Sequence, residues 1–361
     1  MVTVREERLP AGWQAVRLEN QDLSVLLLPE KGSDIYELRS RPHDLDVLWK
    51  APWGLRPPSV STGTAMQSAT VWLDHYAGGW QELFPNAGDA CRYRGAELGF
   101  HGEASVAPWR YEIMTGEDGG PEVRLELRCA RMPFRLEKRV SLDPERPVLR
   151  LWERVTNESA EAMPFMWGHH LAFGPPFLAE GCTLELPAIG FEADGQQTAV
   201  YTWLTPGQRS GWPKAPRADG GTVDLSQVPG PQAHVANFGY ALDLQEGWYA
   251  LTNPRLGLGV GLVWPREVFS CVWIWQEFRG TLDYPWYGST YVMGVEPQTS
   301  YPGRGLQRAL EQGTARWLAP GEQLHVELRA VLFADEGRVQ RITPDGRVVF
   351  TERSEERKAA G

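Results

Sequence analysis

The sequence predicts an all-β protein, a large antiparallel β-sandwich, and three observations carry that expectation. Apolar and polar residues alternate with period two, amphipathic helix patterns are nearly absent, and 38 glycines and 28 prolines punctuate the chain as often as many turns require. The alternation is clearest mid-chain, where Val123, Leu125, Leu127 and Cys129 share one face and Arg124, Glu126 and Arg128 the other. Phe134, Leu136, Val140 and Leu142 alternate with Arg135, Glu137, Arg139 and Ser141, and only Lys138 interrupts the apolar face. Later, Leu324, Val326, Leu328, Ala330 and Leu332 alternate with His325, Glu327 and Arg329. One wet and one dry face is the habit of antiparallel strands. Segments 122–129, 134–142 and 147–155 follow one another with short breaks, which predicts a meander. The best helical pattern, Leu306 to Trp317, is short. Residues 205–235 are Pro- and Gly-rich without periodicity and read as a long surface loop. Residues 1–351 then make one domain, and 352–361 a disordered tail.

Composition bounds the function. With 361 residues, 42% of them hydrophobic, the chain can bury a sizeable core as a single β unit. A net charge of −10, with Lys and Arg scattered, argues against nucleic acid or an anionic membrane as partner. The N-terminus has no secretory pattern, and no stretch approaches the about 18 apolar residues of a membrane span. Cys91, Cys129, Cys182 and Cys271 form no CxxC pair and read as reduced thiols. A cytoplasmic monomer or homodimer is the expectation.

Most of the 16 tryptophans fit a wide β core, but those in GGW, APW, MWGHH and VWIWQEF adjoin polar residues. There a ring can stack on a sugar face while its neighbours bond hydroxyls. This marks Trp167, Trp275 and Glu277 as candidate ligands. Three histidines sit in glycine- and aromatic-rich settings: His101 in LGFHGEASVAPW, and His169 and His170 in PFMWGHHLAFG. Adjacent strand residues point to opposite faces, so at most one of that pair reaches a given cleft. Glu296, in YVMGVEPQTSYPG, follows a strand-like run and precedes a proline, which places it at a sheet rim. HExxH, EF-hand, G-x-S-x-G, GxGxxG and phosphate-loop patterns are absent, and no metal or cofactor is expected.

In order and spacing these motifs resemble the aldose 1-epimerase (galactose mutarotase-like) family over roughly residues 20 to 335. His101-Gly102 is similar to its first histidine, His170-Leu171-Ala172-Phe173 to its H-x-x-F segment, and Glu296-Pro297-Gln298 to the stretch with its general base. GGWQELFPNAG followed by HGEASVAPW also resembles the glucose-6-phosphate 1-epimerase branch. The resemblance implies a supersandwich with its cleft on a concave sheet face, a free monosaccharide substrate and interconversion of its anomers. It makes Glu296 the base, His170 a protonated acid and His101 a hydroxyl ligand. Two departures concern charge. Where galactose mutarotases carry an Asn-Arg pair this chain reads Asn86-Ala87, and the phosphosugar branch's arginine is replaced by Ser105. Gln81, Glu82, Asn86 and Arg92 are the nearby groups that could substitute, with His169 and Gln298 as further ligands. A carbohydrate hydrolase or lyase, with Glu277 or Glu82 as second carboxylate, and a non-catalytic sugar-binding protein remain as alternatives.

Overall fold

The computed structural model describes residues 1–58, 67–196 and 202–351. The expected tail, 352–361, lies outside them. The architecture is the predicted one: two large antiparallel sheets with little helix. Strands Pro121–Arg128, Phe134–Leu142 and Val148–Asn157 form the meander and continue through Gln323–Ala334 into an eight-stranded sheet. Their alternation has the predicted physical meaning. Val123, Leu125, Leu136, Val140 and Leu151 are buried, while the intervening arginines and glutamates pair across the outer face.

The larger, twelve-stranded sheet holds the candidate residues. Four strands from three distant parts of the sequence lie side by side at its middle: Trp80–Leu83, Gly168–Phe173, Tyr291–Gln298 and Cys271–Phe278. All four are buried almost throughout, as strands covered on both faces must be. Register sets His170 opposite Gln81, His169 opposite Glu82, Gly168 opposite Gln298 and Trp273 opposite Glu296.

Four local expectations need correction. Glu296 is not at a rim. Its strand runs on through Pro297, opposite Val272, to Gln298, and leaves the carboxylate 2% exposed. The helix foreseen at Leu306–Trp317 is confined to Gly305–Glu311, because the chain turns at Gly313 and enters a strand at Arg316–Leu318. A second helix, Ser68–His75, was not foreseen, since it is short and buries only Trp72. Residues 205–235 contain three short strands, Arg209–Gly211, Lys214–Pro216 and Thr222–Asp224, and they bury Ala215, Leu225 and Val228. Turns every few residues there leave no run long enough to show a period.

Candidate active site

Alternation along Gly168–Phe173 sends the adjacent histidines to opposite faces. His169 turns inward between the sheets, where its Nε2 lies 3.1 Å from Glu153 Oε2 and its Nδ1 accepts the Trp80 indole N–H at 3.1 Å. Glu82 shares that face. It pairs with Lys138 and accepts the Trp167 indole N–H at 3.0 Å, while Lys138 also lies 3.5 Å from Glu153. This explains the lysine on an otherwise apolar strand face: burial disfavours its charge, but Glu82 and Glu153 together hold its pKa above the ordinary value. His169, Glu82 and Trp167, expected as sugar ligands, are thus corrected to members of an ionic cluster sealed in the core. All three are at most 2% exposed.

His170 points the other way, to a cavity of about 420 Å³ on the face turned from the second sheet. Glu296 reaches the same cavity from the neighbouring strand, with its Oε1 3.5 Å from His170 Nε2. Among the described residues its Oε2 has no hydrogen-bond partner, and neither does the hydroxyl of Tyr76, which follows the unforeseen helix. Gly294 makes the room, since a Cβ there would come within 2.7 Å of Glu296 Oε1. His101 enters from a loop with φ at +60°, its ring centroid 5.4 Å from that of His170. Its Nδ1 accepts the Gly88 N–H at 3.1 Å, so in the neutral ring Nε2 carries the proton and serves as donor.

The walls are aromatic. Trp72 packs edge-on against both histidines, and Trp275 lies 5.8 Å from His170 and 5.4 Å from Trp286. Such a setting is costly for charge. Burial pushes His170 down to about 4, and burial together with the neighbouring His170 drives His101 well below its usual value. The same burial lifts Glu296 far above the usual carboxylate range, with Gln298 opposing it only in part. Both shifts favour the neutral forms, a protonated Glu296 carboxyl beside a neutral His170 imidazole. This reverses the charge states that the family resemblance implied.

The remaining expected ligands divide. Trp275 and Glu277 line the cavity, but both Glu277 oxygens are engaged by the Gly280 and Thr281 N–H groups and the Thr281 hydroxyl. Gln298 lies on the face of His170, packed over Gly168, where a Cβ would fall 1.7 Å from its Oε1. Gln81 stands opposite His170, with its amide N–H groups taken by Asp34 and the Gly78 carbonyl. Asn86 is corrected to a loop organiser. It is fully buried, donates to the Asp89 and Gly99 carbonyls and accepts the Leu306 N–H at 2.7 Å. Arg92 pairs with Glu97 on an exposed hairpin.

Sequence reasoning missed Trp72, Tyr76, Asp194 and Arg304, all of which line the cavity. Only Arg304 left a signal, the glycines on either side of it. Gly305 has φ +80°, and a Cβ at Gly303 would meet the Trp273 ring at 2.9 Å. Among the described residues no cluster of His, Cys, Asp and Glu is placed to hold a metal ion, and no helix is long and apolar enough to cross a membrane.

The family model described as "Domain of unknown function (DUF4432)" matches residues 10–331. No curated protein matches the chain in sequence. Solved structures do match in fold. The Slr1438 protein from Synechocystis sp. PCC 6803 superposes with a TM-score of 0.63 at 19% identity, covering 91% of this chain and 97% of its own. A galactose mutarotase-like protein from Clostridium acetobutylicum gives 0.62 at 15%, with 92% and 99% covered. A galactose mutarotase related enzyme from Lactobacillus acidophilus gives 0.59 at 20%, with 90% and 100% covered. The fold is that of the galactose mutarotase-like sandwiches.

Proposed function

The chain belongs to the DUF4432 family, and from its mutarotase-like fold and the groups facing its cavity we propose that it interconverts the α and β anomers of a free aldose. One observation carries the reading: an imidazole and a carboxyl group 3.5 Å apart, facing one cavity, with the second carboxyl oxygen unpartnered among the described residues. The anomeric hydroxyl and ring oxygen hang on the same carbon, so two groups this close can serve both at once.

The charge states suggest the direction of the first step. His170 Nε2 takes the proton of the anomeric hydroxyl while the Glu296 carboxylic acid protonates the ring oxygen. The C1–ring oxygen bond breaks, C1 becomes an aldehyde, and the pair is left as imidazolium and carboxylate, still holding one proton between them. Rotation about C1–C2 presents the other carbonyl face. Ring closure then returns one proton to the anomeric oxygen from His170 and one from the ring oxygen to Glu296. Each positioned group contributes roughly 10² to 10⁴ in rate. His101 offers an N–H to a further hydroxyl, and Trp275 a stacking face. Hydrolysis is less well served. Of the two candidate second carboxylates, Glu82 is sealed in the core and Glu277 is committed to its loop.

Polarimetry on fresh α-sugars tests the activity, and its pH profile tests the mechanism. The pair carries one proton between the depressed pKa of His170 and the raised one of Glu296. Activity should therefore fall as pH drops through about 4, and fall again as pH rises through the raised pKa of Glu296. Tryptophan fluorescence monitors folding across the range. An acid limb near 6.5 in a folded enzyme would contradict the assignment, because it would mean His170 titrates as an exposed imidazole.

A further inference from the structure

We propose that Arg304 is the specificity-determining residue of this cavity, and that its setting selects an uncharged aldose over a sugar phosphate or sugar acid. The inference rests on the anomer-exchange reading and names the substrate class of that same site.

Arg304 is held from both ends. Its guanidinium pairs with Asp194 through Nη2 and lies 3.3 Å from Asp89 Oδ2 through Nη1. Asp194 is 1% exposed, and its other oxygen accepts the Tyr240 hydroxyl. That hydroxyl in turn accepts the Gly303 N–H at 3.0 Å, so the residue before Arg304 is tied to the group that orients its counter-ion. On the other side, the Leu306 N–H is fixed by Asn86. The arginine is therefore a built feature of the cavity, with little freedom to swing toward an incoming anion.

Charge decides what such an arginine can recognise. Among the described residues lining the cavity it is the one Lys or Arg, and Asp89, Asp194, Glu277, Asp283 and Glu296 line the cavity with it. One positive charge is already matched by two carboxylates. A phosphate dianion entering here would find no unmatched cation and one carboxylate more than Arg304 balances, with Asp283 beside it, whereas phosphate sites normally offer free guanidinium or ammonium groups. A hydroxyl needs something different. It accepts one hydrogen bond and donates another, and an Arg–Asp pair presents both partners side by side. Vicinal hydroxyls of a neutral sugar, with the anomeric centre at His170 and Glu296, fit that pattern.

The test compares a neutral hexose with its 6-phosphate and its uronate, by anomer exchange and by equilibrium binding read from tryptophan fluorescence. For the wild-type protein, kcat/KM for the neutral sugar should exceed that for the phosphate by about 10² or more, the scale of like-charge rejection. Asp89 has a side chain 47% exposed, so Asp89→Asn removes one matching carboxylate without stranding a buried charge. It should move the ratio about tenfold toward the phosphate, the effect of one partly screened charge. Arg304→Lys keeps a cation beside Asp194 and should weaken binding of the neutral sugar, because the planar fork is lost. A wild-type preference for the phosphate or uronate, or an unchanged ratio in Asp89→Asn, would overturn the proposal. If the neutral sugar binds selectively but no anomer exchange occurs, the selectivity stands and the catalytic reading falls.

Discussion

Glu296→Gln should leave the sandwich folded and reduce anomer exchange by about 10² to 10⁴, the contribution of one positioned acid. Glutamine matches the shape and fits the space that Gly294 leaves beside Trp275. Its amide N–H can still donate a hydrogen bond to the ring oxygen. What it cannot do is surrender a proton there, so the chemical step is lost while sugar binding persists. Because burial raises the pKa of this carboxyl and favours its neutral form, replacing it with an amide removes little charge pairing from the fold. A neutral effect on thermal unfolding with a collapse of polarimetric rate is the expected pair of results. Near-wild-type turnover in this variant would remove Glu296 from the chemistry.

The adjacent histidines should separate just as sharply. His170→Asn is expected to cut turnover by about 10² or more with the fold retained, since it removes the base from the cavity. His169→Asn acts on the other side of the sheet. Asparagine there cannot span both Trp80 and Glu153, and leaving a buried polar partner unsatisfied costs about 1–3 kcal/mol. Its signature is a lower denaturation midpoint with little change in rate per folded molecule. Chemical denaturation and polarimetry on the same samples distinguish the two. If His169→Asn abolished turnover while His170→Asn was nearly silent, the register of this strand in the mechanism would be wrong by one residue.

The strands that carry these residues were readable because period-two alternation follows directly from one buried face, as in Phe134–Leu142. Lys138 looked like a flaw in that pattern, and its reason lies on two other strands, in Glu82 and Glu153. No local pattern could pair them. For His169 and His170, alternation showed that they diverge, and the family-like H-x-x-F spacing pointed to the one that faces the cavity. Glu296 was legible as a residue but not as an environment, since the groups around it, His170 at 3.5 Å and Trp273 across the ladder, come from other strands rather than from its neighbours in sequence. Tyr76 and Trp72 went unseen because one short helix, with a single buried side chain, brings them in. Arg304 stood eight residues beyond Glu296 between two glycines, but its meaning needs Asp194 and Asp89, each more than a hundred residues away.

Two-dimensional NMR exchange on an equilibrated neutral aldose tests the central claim most directly, because it follows α and β signals with no net reaction to confuse them. With wild-type protein at catalytic concentration, exchange cross-peaks between the anomeric protons should appear and vanish in Glu296→Gln and His170→Asn. Absence of cross-peaks with every neutral aldose that binds, or the growth of signals from a new product, would contradict the account.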